Sequence, residues 1–94
     1  MSELFIEAMP NTDGTGMTFR LEGILDREGS SILRDQVLAT PADVAIDFAQ
    51  LRAMPDSALG ILASGLADRR NVKLVGLPRH AERILRAFGV SRVA

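Results

Sequence analysis

The chain has 94 residues, a formal net charge of -1 and 47% hydrophobic residues. That suits one small domain with enough apolar material for a core, and it excludes general disorder. The lack of a basic excess argues against general nucleic-acid binding, and the lack of any cysteine excludes disulfides, thiolate metal sites and cysteine nucleophiles.

Residues 4–9, LFIEAM, read as a first strand, and 10–16, PNTDGTG, as a loop dense in turn residues. Met17, Phe19 and Leu21 then alternate with Thr18, Arg20 and Glu22. This period of two predicts a strand with one buried face, paired to the first as a hairpin. Gly23 closes that strand. Asp26 or Ser30 is predicted to cap a helix carrying Leu33 and Val37, with Ile32 and Leu38 beside them. Thr40-Pro41 ends it, because the residue before proline avoids the helical region. Residues 44–48, VAIDF, read as a short apolar strand with one acid. A helix over about 57–70 contains Leu59, Leu62 and Leu66. Its interior glycines, Gly60 and Gly65, cost roughly 1 kcal/mol each against alanine, which is tolerable where another segment must pack closely. Residues 72–77, VKLVGL, form the last strand. Pro78 suits the start of a final helix. Ala81, Ile84, Leu85 and Phe88 give that helix a buried face, and Gly89 suits its end.

The element order predicts a single α/β domain over residues 1–94. Two leading strands followed by helix-separated strands imply a roughly four-stranded mixed sheet, with helical crossovers mainly on one face. Phe19, Leu21, Ile46, Leu62, Leu74, Ile84 and Leu85 are the expected core. No apolar run approaches the roughly 20 residues needed to span a bilayer. The acidic start does not read as a signal peptide, so the expected location is the cytoplasm.

Few residues suggest chemistry. DGTG at 13–16 lacks the spacing, the lysine and the following helix of a phosphate-binding loop, and reads as a hairpin turn. His80 is the only histidine. Metal binding needs several such ligands, and base catalysis needs a positioned partner, so it reads as a surface residue. Arg79, Arg83 and Arg86 recur at helical spacing, which fits either a solvated face or a surface that meets an acidic protein. Asp26, Asp47 and Asp56 are acids whose mutual geometry the sequence leaves open. Asp56 follows Pro55 at a helix start, where exposed amides and the dipole favour negative charge. It is predicted to be the N-cap.

FRLEGILD at 19–26, VAIDFAQLRAMPDSALGIL at 44–62 and VKLVGLPRHAERILRAFGV at 72–90 together resemble the STAS domains of sulfate transporters and anti-sigma factor antagonists. The resemblance implies a non-enzymatic protein-binding regulator in a partner-switching pathway, with no cofactor. The implied partner is an anti-sigma factor serine kinase. It would phosphorylate a serine or threonine at the start of the helix after the central strand. The added charge, roughly -1.5 to -2, then weakens binding. The family's motif there is an aspartate, the phosphorylated residue, a serine and a glycine.

This chain departs from that motif. Without a gap, Pro55 replaces the aspartate, Asp56 takes the phosphorylated position, Ser57 follows, and Ala58 replaces the glycine. Leu59 and Gly60 then match. An alternative alignment makes Ser57 the phosphosite but inserts one loop residue, shifting the helix's buried face by about 100°, so the gapless form is favoured. The implied partner surface is Asp56, Ser57, Ala58, Leu59 and Gly60, with Asp47 and Asp26 nearby. A second implied role is that of a STAS subunit of a lipid-trafficking ABC transporter, binding its ATPase without phosphorylation. A hydrolase would need a nucleophile–base pair, for which the sequence offers little.

Overall fold

A computed structural model of the chain describes residues 3–12, 14, 16–67 and 71–90. The elements run in the expected order: β1 (Leu4–Pro10), β2 (Met17–Ile24), α1 (Arg27–Ala39), β3 (Val44–Ala53), α2 (Asp56–Leu66), β4 (Val72–Val75) and α3 (Arg79–Ala87). β3 runs five residues beyond the apolar stretch that announced it. β4 stops at Val75, where Gly76 turns the chain. The expected extension of α2 to Arg70 falls outside the described residues, as do Asp13 and Thr15 of the hairpin loop.

The four strands lie side by side in sequence order. β1 and β2 are antiparallel, with Ile6 opposite Leu21 and Glu7 opposite Arg20. β2 and β3 are parallel, as are β3 and β4, with Phe19, Ile46 and Leu74 in one row across them. The two parallel crossovers step the same way across the sheet. Crossovers share one hand, so both helices are delivered to the same face. α2 packs against α1 on one side and α3 on the other.

One face of the sheet therefore holds the core. Phe19, Leu21, Ile46, Phe48, Val72 and Leu74 point into it and meet Leu33, Val37, Leu59, Leu62, Leu66 and Leu85 from the helices. The alternate positions along the strands form a second face that no helix among the described residues covers. Phe5, Glu7, Arg20, Asp47, Lys73 and Val75 lie there by strand alternation. Phe5 is 71% exposed. A sheet with one buried and one solvated face is the usual antiparallel arrangement, here extended over two parallel pairs.

Local signals account for the element ends. Asp26, rather than Ser30, caps α1. Its Oδ1 accepts from the Gly29 amide at 2.6 Å, and its Oδ2 accepts from the Glu3 amide at 3.1 Å. Gly23 has φ +93, and a Cβ there would lie 2.3 Å from the Glu3 carbonyl oxygen, so only glycine fits the crossing of these two segments. At the end of α3, the Val90 amide donates to the Leu85 carbonyl and the Gly89 amide to the Arg86 carbonyl. With Gly89 at φ +91, this is a Schellman cap, closed by buried Val90 beside Leu85.

Two burial expectations change. Ile84 is half-buried, and Phe88 is 56% exposed. The helix stops at Ala87, so Phe88 stands at the C-cap. Its ring leans over Gly60 of α2 instead of entering the core.

Candidate functional site

The surface around the start of α2 is built by a short turn. β3 ends at Ala53, and Met54 and Pro55 lead directly into the helix. Pro55 occupies the N-cap with no side-chain hydrogen bond, and Asp56 is the first helical residue. The expectation that Asp56 would be the N-cap is thus corrected. Proline's fixed φ, -59° here, suits the entry to a helix. That shifts the cap back by one residue and frees the carboxylate.

The carboxylate turns sideways to α3. Asp56 Oδ1 lies 3.1 Å from His80 Nε2. The two side chains are 72% and 71% exposed. The contact is a hydrogen bond to a neutral imidazole and an ion pair to a protonated one. His80 is on the surface as expected, but it has a partner that the sequence did not show. The residues are 24 positions apart, and only the packing of α3 along α2 joins them. Pro78 is the N-cap of α3, again without a side-chain bond. The starts of the two helices thus lie next to each other, joined by the Asp56–His80 contact.

The other residues of the expected surface divide by face. Ser57 is exposed and Gly60 half-buried. Ala58 and Leu59 are fully buried: they seat the turn on the core and present no side chain outward. Asp47 lies between buried Ile46 and Phe48 on β3, so its side chain belongs to the uncovered sheet face. There it accepts from the Ala49 amide at 2.9 Å. Asp26 is engaged in capping α1. The three acids do not converge, and among the described residues no group of three or more His, Asp or Glu side chains could hold a metal ion. None of the hydrogen bonds among the described residues joins the Ser57 hydroxyl to His80.

The two interior glycines of α2 serve different neighbours. A Cβ at Gly65 would lie 2.1 Å from Arg34 Cγ, so the Arg34 stem lies flat on the helix backbone. A Cβ at Gly60 would be 3.7 Å from Phe88, an ordinary contact distance. The close packing expected of these glycines is real at Gly65 and loose at Gly60.

This arrangement is an exposed acidic turn on the central helix of a one-sided α/β sheet. A family model described as "Mlab, STAS domain" matches residues 8–94. The chain belongs to the STAS domain family. The STAS fold is shared with solved structures. One is the anti-sigma factor antagonist SpoIIAA in its unphosphorylated form, at TM-score 0.66 and 14% identity over 96% of this chain and 86% of that one. Another is the STAS domain of an antisigma-factor antagonist from Rhodobacter sphaeroides, at TM-score 0.62 and 21% identity over 80% of this chain and 88% of that one. No curated protein matches this STAS domain.

Proposed function

We propose that this STAS domain is a non-enzymatic, protein-binding regulator of the anti-sigma factor antagonist type, and that a partner protein docks on the turn from Pro55 to Gly60. The observation that carries the reading is Asp56: an exposed carboxylate at the first position of the central helix, where the family resemblance puts the phosphorylated residue. The similarity in fold to SpoIIAA, an antagonist of an anti-sigma factor, supports a partner of the same kind, an anti-sigma factor serine kinase in the cytoplasm. Exposed Ser57 beside Asp56 leaves room for a close approach, while Gly60 lies under the Phe88 ring. Asp26 and Asp47 contribute through the fold, one by capping α1 and the other on the far face of the sheet.

On this reading the site carries one permanent negative charge, less than a phosphate and with fewer acceptor oxygens. The cognate kinase leaves the wild type unmodified. Phosphopeptide mapping after incubation with that kinase tests this, and stoichiometric phosphate on Ser57 would falsify it in favour of the inserted alignment. The exchange Pro55→Asp with Asp56→Ser restores the family's motif, and is expected to restore phosphorylation or to change partner affinity.

A second reading is favoured by the Asp56–His80 contact. A carboxylate already engaged within the chain suits a constitutive contact better than a switch. That fits a STAS subunit which binds the ATPase of a lipid-trafficking ABC transporter. Affinity purification from the native host separates the two: a GHKL-type serine kinase supports the first and an ABC ATPase the second.

A further inference from the structure

The arginines of α3 play no part in the site above. At about 100° per residue, Arg79, Arg83 and Arg86 fall within roughly 60° of one another and form one stripe about 10 Å long. The helix's buried residues, Ala81 and Leu85, are on the other side. All three arginines are exposed. Arg86 is paired with Glu82 at 2.9 Å. Arg79 and Arg83 make no ion pair among the described residues, although the chain carries 12 acids. Three arginines against one glutamate leave α3 at +2 in a chain whose total is -1.

One end of the stripe is poorly placed for the helix's own stability, whereas Arg86 in the last turn is well placed. Arg79 stands in the first turn, where the dipole favours acids such as Glu82, and unlike its neighbour His80, which meets Asp56, it has no ion-pair partner among the described residues. Pro78 contributes no side-chain cap. Residues that break a local rule without a compensating internal contact point to a role outside the chain. Arginine is the residue suited to interfaces with carboxylates, because its planar fork pairs with both oxygens.

We infer that the outward face of α3 docks an acidic helix of a partner protein, with glutamates or aspartates one turn apart set against Arg79 and Arg83. A helix matches the stripe's shape, since charges repeating every four residues on one helix face charges repeating likewise on the other. An anionic membrane is the poorer fit. Interfacial helices insert an apolar face between the lipids, and the apolar face of α3 is turned to the core, with Ala81 and Leu85 buried and Ile84 half-buried. The inference stands whether or not the turn at Pro55–Gly60 is itself a partner contact.

The test is a titration of the isotope-labelled chain with a synthetic helical peptide carrying glutamates at every fourth position on one face. Amide shifts are expected at residues 79–87, weakening as salt is raised. R79E/R83E is expected to weaken binding by about tenfold or more, because like charges then face each other. R79A/R83A is expected to weaken it less. R27E/K73E, with the same charge change on α1 and on the uncovered sheet face, is expected to bind as the wild type does. A peptide of equal charge with its glutamates scattered around the helix is expected to bind several-fold more weakly. Both arginines are exposed, so the variants should remain folded, which the spectra report directly. Three results would overturn the inference: shifts spread evenly over Arg20, Arg27 and Lys73, equal weakening by R27E/K73E, or sedimentation with phosphatidylglycerol vesicles through Arg79 and Arg83 without peptide binding.

Discussion

Ser30 is fully buried in α1, and its hydroxyl has no hydrogen-bond partner among the described residues. An unmet buried hydroxyl carries a desolvation cost with nothing to offset it. Ser30→Ala is therefore expected to raise stability by about 1 kcal/mol, read from the midpoint of urea unfolding at unchanged slope. A loss of stability would mean that the hydroxyl is bonded after all. Asp56 lies at the opposite extreme of exposure. As a first-turn acid in an exposed pair, and not as a cap, it is expected to contribute below about 1 kcal/mol. Asp56→Ala, His80→Ala and the double variant form a cycle whose coupling should be about 0.2–1 kcal/mol. Additive effects would show that the Asp56–His80 contact is not formed in solution. The sequence offered the right residue for the wrong reason here. A proline before an acid is compatible with the acid as N-cap or as first helical residue, and only the backbone angles at Pro55 choose.

At the scale of elements, α2 shows why a glycine in a helix has to be interpreted through its neighbour. Gly60→Ala removes a backbone-entropy cost and places a methyl in ordinary contact with Phe88. It is expected to stabilise by about 0.5–1 kcal/mol. Gly65→Ala makes the same gain but displaces the Arg34 stem, so its net effect should be smaller or of opposite sign. Thermal unfolding of the two single variants compares them directly, and equal gains would show that Arg34 does not rest on Gly65. The strands and helices themselves were legible from simple patterns: the alternation of Met17 to Glu22, Pro41 after α1, Gly89 after α3. The fate of Phe88 was not. Its spacing from Ala81, Ile84 and Leu85 fits a buried face only while the helix continues. The Schellman cap ends the helix one residue earlier and leaves the ring outside.

For the whole molecule, the ordered series of two leading strands, two helix-separated strands and a final helix was enough to anticipate the sheet, its mixed pairing and the side on which the helices lie. What it could not supply was any contact between distant segments, such as Asp56 with His80 or Arg34 with Gly65, because these depend on how helices lie against one another. The core prediction at this scale is Leu74. It is fully buried in the row Phe19–Ile46–Leu74, so Leu74→Ala is expected to cost about 2–5 kcal/mol in denaturant unfolding. A cost below about 1 kcal/mol would mean that the row is not packed as described. Melting temperatures with EDTA, zinc or ATP are expected to agree closely. A large saturable rise with any one of them would reveal a ligand through its linkage to folding.

The uncovered face of the sheet has a consequence for how the protein behaves in a crowded solution. Glu7, Arg20, Asp47 and Val75 form a single row across the four strands, with Arg20 3.9 Å from Glu7. Stacking this face on that of another molecule would take the row's three charges out of water, a cost that sheet-to-sheet contact does not recover. The row thus acts as a barrier to self-adhesion on the face that the described helices leave uncovered. Replacing Arg20 and Asp47 by leucine would turn it into an apolar band running from β2 to Val75. Such a variant should keep its fold and lose its independence, with a sedimentation coefficient that climbs with concentration where that of the wild type stays level.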